Sequence, residues 1–127
     1  MRLKNPRQKG NYVRRLVINH MQKGDYLVDT VEKTSRFCKN KDLFSLFDII
    51  CINPQQTFLI QVTCTKPHTH KGYKEFAEKY RTGYNERYIE QWVYKGRNNF
   101  DLYCYFPDRV IKNTVKVQPT KKVVKNE

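Results

Sequence analysis

Two apolar runs separated by a four-residue gap constrain this chain more than any other feature. Residues 43–52 read LFSLFDIICI and residues 57–65 read TFLIQVTCT, with NPQQ between them. Both runs are rich in the β-branched and aromatic residues that fit a pleated sheet, and the proline in the gap is typical of a turn. The pattern predicts a central β-hairpin. Because both faces of the two strands look apolar, it also predicts a sheet that is covered on both sides.

The rest of the chain predicts two helices and three more strands. Apolar residues recur at helical spacing in residues 9–23 and again in residues 71–82. Alternation predicts a strand at 26–31, and two further strands, 87–95 and 100–106, surround the turn GRNN. The predicted order is α-β-β-β-α-β-β, which describes a single mixed α/β domain.

A length of 127 residues is that of one domain, which can bury a core without a disulfide or a structural metal. We expect a flexible basic arm at 1–8, a folded domain at 9–107 and a basic tail at 108–127. The four cysteines form no CxxC pair, so free thiols are expected rather than a zinc site.

The charge balance points to a polyanionic partner. The chain carries 25 basic and 12 acidic residues, for a net charge of +13. Such an excess is self-repelling in a compact domain, so nucleic acid is the natural partner, with a ribosomal-type or membrane-surface role as the alternatives. No apolar run approaches the roughly 18 residues of a membrane span, and the N-terminus lacks the apolar stretch of a signal peptide. We therefore expect no membrane partner and a cytoplasmic location, in the cell or in an infected host.

An aspartate and a glutamine lie inside the two apolar runs. Asp48 is costly to bury unless something uses its charge, and Gln61 and Thr63 share one face of the next strand. If the two strands pair, Asp48 approaches Gln61, and their oxygens suit Mg²⁺ or Mn²⁺, which would activate water at a phosphodiester. A structural role is the alternative, in which Asp48 bonds backbone at a strand end and Gln61 and Thr63 are a satisfied polar pair.

The order of these motifs resembles the PD-(D/E)xK nuclease superfamily. Within it, the chain resembles archaeal-type Holliday junction resolvases and small phage or viral proteins built on the same plan. The similar motifs are KG at 9–10, GDYLV at 24–28, FD at 47–48 and LIQVT at 59–63. The resemblance spans residues 9–106. It implies a restriction-endonuclease-like fold with a central mixed sheet flanked by helices, and it implies a metal-dependent endonuclease acting on double-stranded or branched DNA.

The chain departs from the family pattern at three positions. Resolvases carry a glutamate on the first helix where this chain has Arg14, and the (D/E)xK element reads Gln61 and Thr63 here. Asp48 alone matches the strict pattern, so the resemblance implies that Asp48 and Gln61 bind the metal. The expected catalytic set is Glu32, Asp48, Gln61, Thr63 and Lys66.

Three residues of that set would replace catalytic side chains that the family has and this chain lacks. Glu32 would restore a carboxylate, and Thr63 would hydrogen-bond water or phosphate. Lys66 is the preferred replacement for the motif lysine, although Lys71 or Lys74 could reach the same space. The alternative function is a non-catalytic nucleic-acid-binding module on the same fold.

Basic residues surround the expected site and would contact phosphates in either case. Resolvase relatives act as two-fold dimers, so a homodimer is expected, with Trp92 and Tyr94 as interface candidates; core packing is the alternative for Trp92. His68 and His70 suit phosphate contact or solvent exposure better than a zinc site. The expected DNA-binding residues are Lys9, Arg14, Arg15, Lys33, Arg36, Lys39, Lys41, Lys71 and Lys74.

Overall fold

The computed structural model describes residues 6–30, 44, 46–81 and 86–118, and the side chains of residues 6–9 are outside that description. The helices and strands, in chain order, are α1 (Pro6–Lys23), β1 (Leu27–Thr30), β2 (Ile49–Ile52), β3 (Thr57–Cys64), α2 (Lys71–Tyr80), β4 (Arg87–Gly96), β5 (Asn99–Phe106) and β6 (Arg109–Lys116).

The strands form one sheet in the order β1-β2-β3-β4-β5-β6. Neighbouring strands are antiparallel except β3 and β4, which are parallel and are joined through α2. A parallel pair needs a crossover of this kind, because a tight turn cannot return the chain to the same end of the sheet. The predicted mixed α/β architecture and the central β2–β3 hairpin are confirmed.

Each face of the sheet has its own apolar core, as the two-sided strands predict. Helix α1 packs on one face through residues that include Val13 and Val17, against Ile49 and Ile60. Helix α2 packs on the other face through Tyr73 and Ala77. On β3, alternate residues serve the two faces, which is why the strand reads as a nearly continuous apolar run.

The structure corrects the predicted boundaries at both ends of the domain. Helix α1 begins at Pro6, inside the expected arm 1–8, because a proline at the first helical position gives up an N–H that has no partner there anyway. The expected tail 108–127 contains β6, which pairs with β5 along its whole length. Val117 follows β6 and is buried, and its N–H donates to the Asn98 carbonyl oxygen at 2.8 Å.

Candidate nucleic-acid interface

Both helices begin at the same end of the sheet, where β3 and β4 finish. On α1, Tyr12 donates a hydrogen bond to Asn98 in the β4–β5 turn, and α2 starts directly after the loop that leaves β3. We call this the Asp48 end, because Asp48 lies there, immediately before β2. The opposite end carries the β2–β3 and β5–β6 turns. The N-termini of α1 and α2 therefore bring the positive ends of two helix dipoles to one end of the molecule, on opposite faces.

Asp48 is buried beside the β3 backbone and pairs with an arginine of α1. Its side chain is 8% exposed, and its Oδ2 lies 3.3 Å from Nε of Arg14. Its Oδ1 accepts a hydrogen bond from the Val62 N–H at 3.3 Å, while its own N–H donates to Ile60 O at 3.0 Å. The structural role weighed from the sequence, with Asp48 bonding backbone at a strand end, is thus present, together with an ion pair.

Gln61 lies next to Asp48 along the ladder, since Ile49 and Ile60 are paired. Its side chain is on the α2 face, where its Nε2 lies 3.2 Å from Nε2 of His68. The two predicted metal ligands are therefore neighbours in register, but the carboxylate of Asp48 bonds α1 whereas the amide of Gln61 bonds the loop before α2.

The side-chain oxygens of Asp48 and Gln61 do not fit a Mg²⁺ ion. The carboxylate that should attract the cation already has the Arg14 guanidinium against it, so a fixed positive charge lies where the metal would bind. Within the described part of the chain, no group of three or more His, Cys, Asp or Glu side chains is placed to hold a metal. Glu32, the expected supporting carboxylate, lies outside the described residues.

The side chain of Gln91 hydrogen-bonds the loop from Thr65 to His70, and Gln91 was not predicted from the sequence as a functional residue. Gln91 is fully buried on β4; its Oε1 accepts from His68 N–H at 2.9 Å and its Nε2 donates to His68 O at 3.1 Å. Its Nε2 also donates to the Tyr105 hydroxyl at 2.8 Å. The available signal was a glutamine amid the apolar residues of a central strand, where a buried amide must find partners.

Thr63 and Lys66 meet at the start of this loop. The Thr63 hydroxyl donates to the Lys66 carbonyl oxygen at 3.1 Å, and the Lys66 side chain is exposed. Thr65 between them has a φ of 76°, which is unusual for a β-branched residue. The loop is further fixed by Lys95, whose Nζ donates to Thr65 O at 2.7 Å.

The expected DNA-binding residues fall into three groups. Arg14, Arg15 and Lys71 lie at the Asp48 end, with Arg15 and Lys71 exposed. Lys74, one turn further along α2, lines a groove of about 350 Å³ with Glu78 and the β5–β6 turn, away from that end. The remaining residues are outside the description, either in full or, for Lys9, in the side chain; they are Lys9, Lys33, Arg36, Lys39 and Lys41.

The excess of positive charge lies at one end of the sheet. At the Asp48 end, Asp48 and Asp101 are paired with Arg14 and Lys112, and Asp29 at the end of β1 is exposed. The described cations at that end are Arg14, Arg15, Lys66, Lys71, Lys95, Arg97 and Lys116. Toward the opposite end, four described acidic residues are nearly balanced by five cations; the acids are Asp25, Glu78, Glu86 and Asp108, and the cations are Lys23, Lys79, Arg81, Arg87 and Arg109.

Trp92 and Tyr94, the interface candidates, belong to the core on the α1 face. Trp92 is 3% exposed, and Tyr94 packs against the same cluster. The indole Nε1 of Trp92 donates to Oε1 of Glu90 at 2.9 Å, and burial raises the pKa of the Glu90 carboxyl to about 7. Neither aromatic offers an exposed docking face.

The described cysteines and helices bear on the expectations of free thiols and of no membrane span. Cys51, Cys64 and Cys104 are free thiols, and Cys38 lies outside the description. Among the described helices, none combines the length and apolarity of a membrane span.

No family model matches the sequence, and no curated protein matches it. Among solved structures, the chain is similar to Hjc of Archaeoglobus fulgidus, a Holliday junction resolvase from an archaeal hyperthermophile. The two share 16% sequence identity over 84% of this chain and 81% of that chain, with a TM-score of 0.46.

Proposed function

We propose that this chain binds duplex or branched DNA through the Asp48 end. The observation that carries the proposal is the excess of cations where the two helices begin, whereas cations and acidic residues nearly balance at the other end. Phosphates are the ligands that clustered lysines, arginines and helix N-termini favour together.

The ion pair between Arg14 and Asp48 adds a fixed geometry to this surface. Asp48 is buried and is bonded by the Val62 N–H as well as by Arg14, so it holds the guanidinium against the sheet. The Arg14 side chain remains 38% exposed, so its guanidinium can still donate hydrogen bonds to a phosphate. Asp48 is therefore a positioning residue in this account, and DNA binding needs no metal ion.

Two matched variants test where DNA binds. The first replaces exposed cations of the Asp48 end, as Arg15→Gln, Lys66→Gln and Lys71→Gln. The second replaces exposed cations elsewhere, as Lys23→Gln, Lys79→Gln and Arg109→Gln. Each removes three positive charges, so the two proteins have the same net charge and differ only in where it is lost.

Binding to a labelled duplex and to a four-way junction is measured by fluorescence anisotropy over a range of salt concentrations. The first variant should lose affinity and reduce the salt slope by about 0.9 for each phosphate contact removed. The second should keep the wild-type slope. Equal losses in both variants would mean that net charge, rather than the Asp48 end, governs binding.

A second candidate function is metal-dependent DNA cleavage, which is favoured by one observation: a buried carboxylate, Asp48, lies at the basic end of the sheet. Labelled junction, duplex and single strands incubated with Mg²⁺ or Mn²⁺ separate the two functions. The ion pair with Arg14 predicts no cleavage of any substrate. Mg²⁺-dependent cleavage that disappears in Asp48→Asn would overturn the metal-free account and leave DNA binding in place.

A further inference from the structure

The tip of the β4–β5 hairpin has an unusual backbone. Gly96, Arg97 and Asn98 have φ angles of 99°, 55° and 63°. The turn between the paired residues Gly96 and Asn99 is of the two-residue type with positive φ at both central positions, and Asn-Gly is the sequence that satisfies this type most easily. This chain instead has an arginine at the first position, where a side chain with a Cβ is disfavoured.

Three hydrogen bonds fasten the tip to different parts of the fold. The Tyr12 hydroxyl on α1 donates to Asn98 Oδ1 at 3.2 Å, and Asn98 N–H donates to the Tyr94 hydroxyl at 3.3 Å. Val117 N–H, after β6, donates to Asn98 O at 2.8 Å. All three bonds are made by Asn98, so the neighbouring Arg97 is held in its strained conformation and stays exposed.

A β-bulge just before the tip changes the direction of the side chains. Tyr94 pairs with Phe100 and Gly96 with Asn99, so Lys95 is an extra residue on β4. Bulges commonly redirect a side chain near a functional site. Here the Lys95 ammonium bonds the Thr65 carbonyl oxygen. Arg97 is left as an exposed cation at the tip of the hairpin, at the Asp48 end.

We infer that Arg97 enters a groove of the bound duplex and contacts base edges, rather than phosphates alone. The inference rests on the proposed DNA binding. A strained residue persists where the surrounding structure fixes it, and such residues concentrate at functional sites. The planar guanidinium can make two parallel hydrogen bonds to a base edge, whereas an ammonium acts as a point charge.

Two substitutions of Arg97 separate groove contact from phosphate contact. Arg97→Lys keeps the charge and loses the two-pronged donor geometry. Arg97→Asn removes the charge but suits the left-handed backbone, so it also reports on strain. The control is Arg109→Asn, an exposed arginine beside the turn at the opposite end of the sheet.

Affinity for duplex DNA and the Tm of each protein are measured together. Arg97→Asn should bind roughly 5- to 100-fold more weakly, yet its Tm should rise by about 2–5 °C. Arg97→Lys should lose most of the same affinity with an unchanged salt slope. Arg109→Asn should bind as the wild type does.

Wild-type affinity in Arg97→Lys would show that Arg97 contacts only phosphate, and this result would overturn the inference. Wild-type affinity in Arg97→Asn would overturn it as well. Either result leaves the proposed function standing, because the wild-type protein still binds. If the wild type itself fails to bind duplex DNA at low salt, the proposed function falls, and the groove contact falls with it.

Discussion

Glu90 is the clearest place to test the energetics of this fold. It lies on β4, is 6% exposed, and accepts a hydrogen bond from the Trp92 indole at 2.9 Å. Cys104 Sγ lies 3.8 Å from the other carboxyl oxygen. Glu90→Gln keeps the shape of the side chain and an acceptor for Trp92, so it removes the ionisable group with little change in packing.

The size of the effect follows from the pKa of Glu90, which burial raises from 4.5 to about 7. Because the folded carboxyl holds its proton more tightly than the unfolded one, the contribution of Glu90 to stability is highest at low pH and falls as the pH rises from 4.5 to 7. At 1.36 kcal/mol for each pKa unit, the cost of ionising buried Glu90 reaches about 3 kcal/mol at pH 8.

Urea denaturation of the wild type and Glu90→Gln at pH 5 and pH 8 measures this cost. The variant should be the more stable protein at pH 8, and its advantage should grow by roughly 2–3 kcal/mol between the two pH values. The control is Glu86→Gln, which changes an exposed carboxyl just before β4. This variant should show no such gain in stability over the wild type between the two pH values. A gap between wild type and Glu90→Gln that is the same at both pH values would refute the reasoning.

Three other substitutions test the polar contacts. Arg14→Ala should lower the free energy of unfolding by about 2 kcal/mol, because Asp48 keeps its charge without its cation, and adding Asp48→Asn should recover part of the loss; full additivity in denaturation would contradict the ion pair. Gln91→Leu should lower the free energy of unfolding by about 2–4 kcal/mol in the same assay, since the His68 backbone and the Tyr105 hydroxyl lose their hydrogen bonds to Gln91. An unchanged stability would show that these hydrogen bonds do not stabilise the loop. Asp48→Ala should keep salt-sensitive binding of duplex DNA by anisotropy with only a small loss of affinity, because Arg14 keeps its charge and loses only its fixed position; loss of all binding would show that the carboxylate itself is needed.

The central hairpin and the element order could be predicted because their signals are local. The apolar runs around Asp48 and Gln61 are continuous, and a strand covered on both faces needs no alternation to be recognised. Strand β6 could not be recognised in the same way. It is an edge strand with several exposed side chains, so its lysines and polar residues resemble those of a loop.

The contacts around Asp48 could not be predicted from the sequence, because they depend on how the helix and the strands pack together. The partner of Asp48 is Arg14, 34 residues away, and only the packing of α1 on the sheet brings them together. Gln91 likewise bonds His68 across 23 residues. The sequence shows that a buried carboxylate and a buried amide need partners, but the identity of each partner depends on the register of the strands and on the angle of the helix.

Amide chemical-shift mapping with a short duplex tests the binding surface most directly. Titration of the labelled protein, followed by ¹H–¹⁵N correlation spectra, should give the largest shifts at residues 11–15, 65–71 and 95–99, all at the Asp48 end. Residues 53–56 and 106–109, in the turns at the opposite end, should be nearly unchanged. Shifts concentrated in those two turns, with the Asp48 end unaffected, would contradict the account.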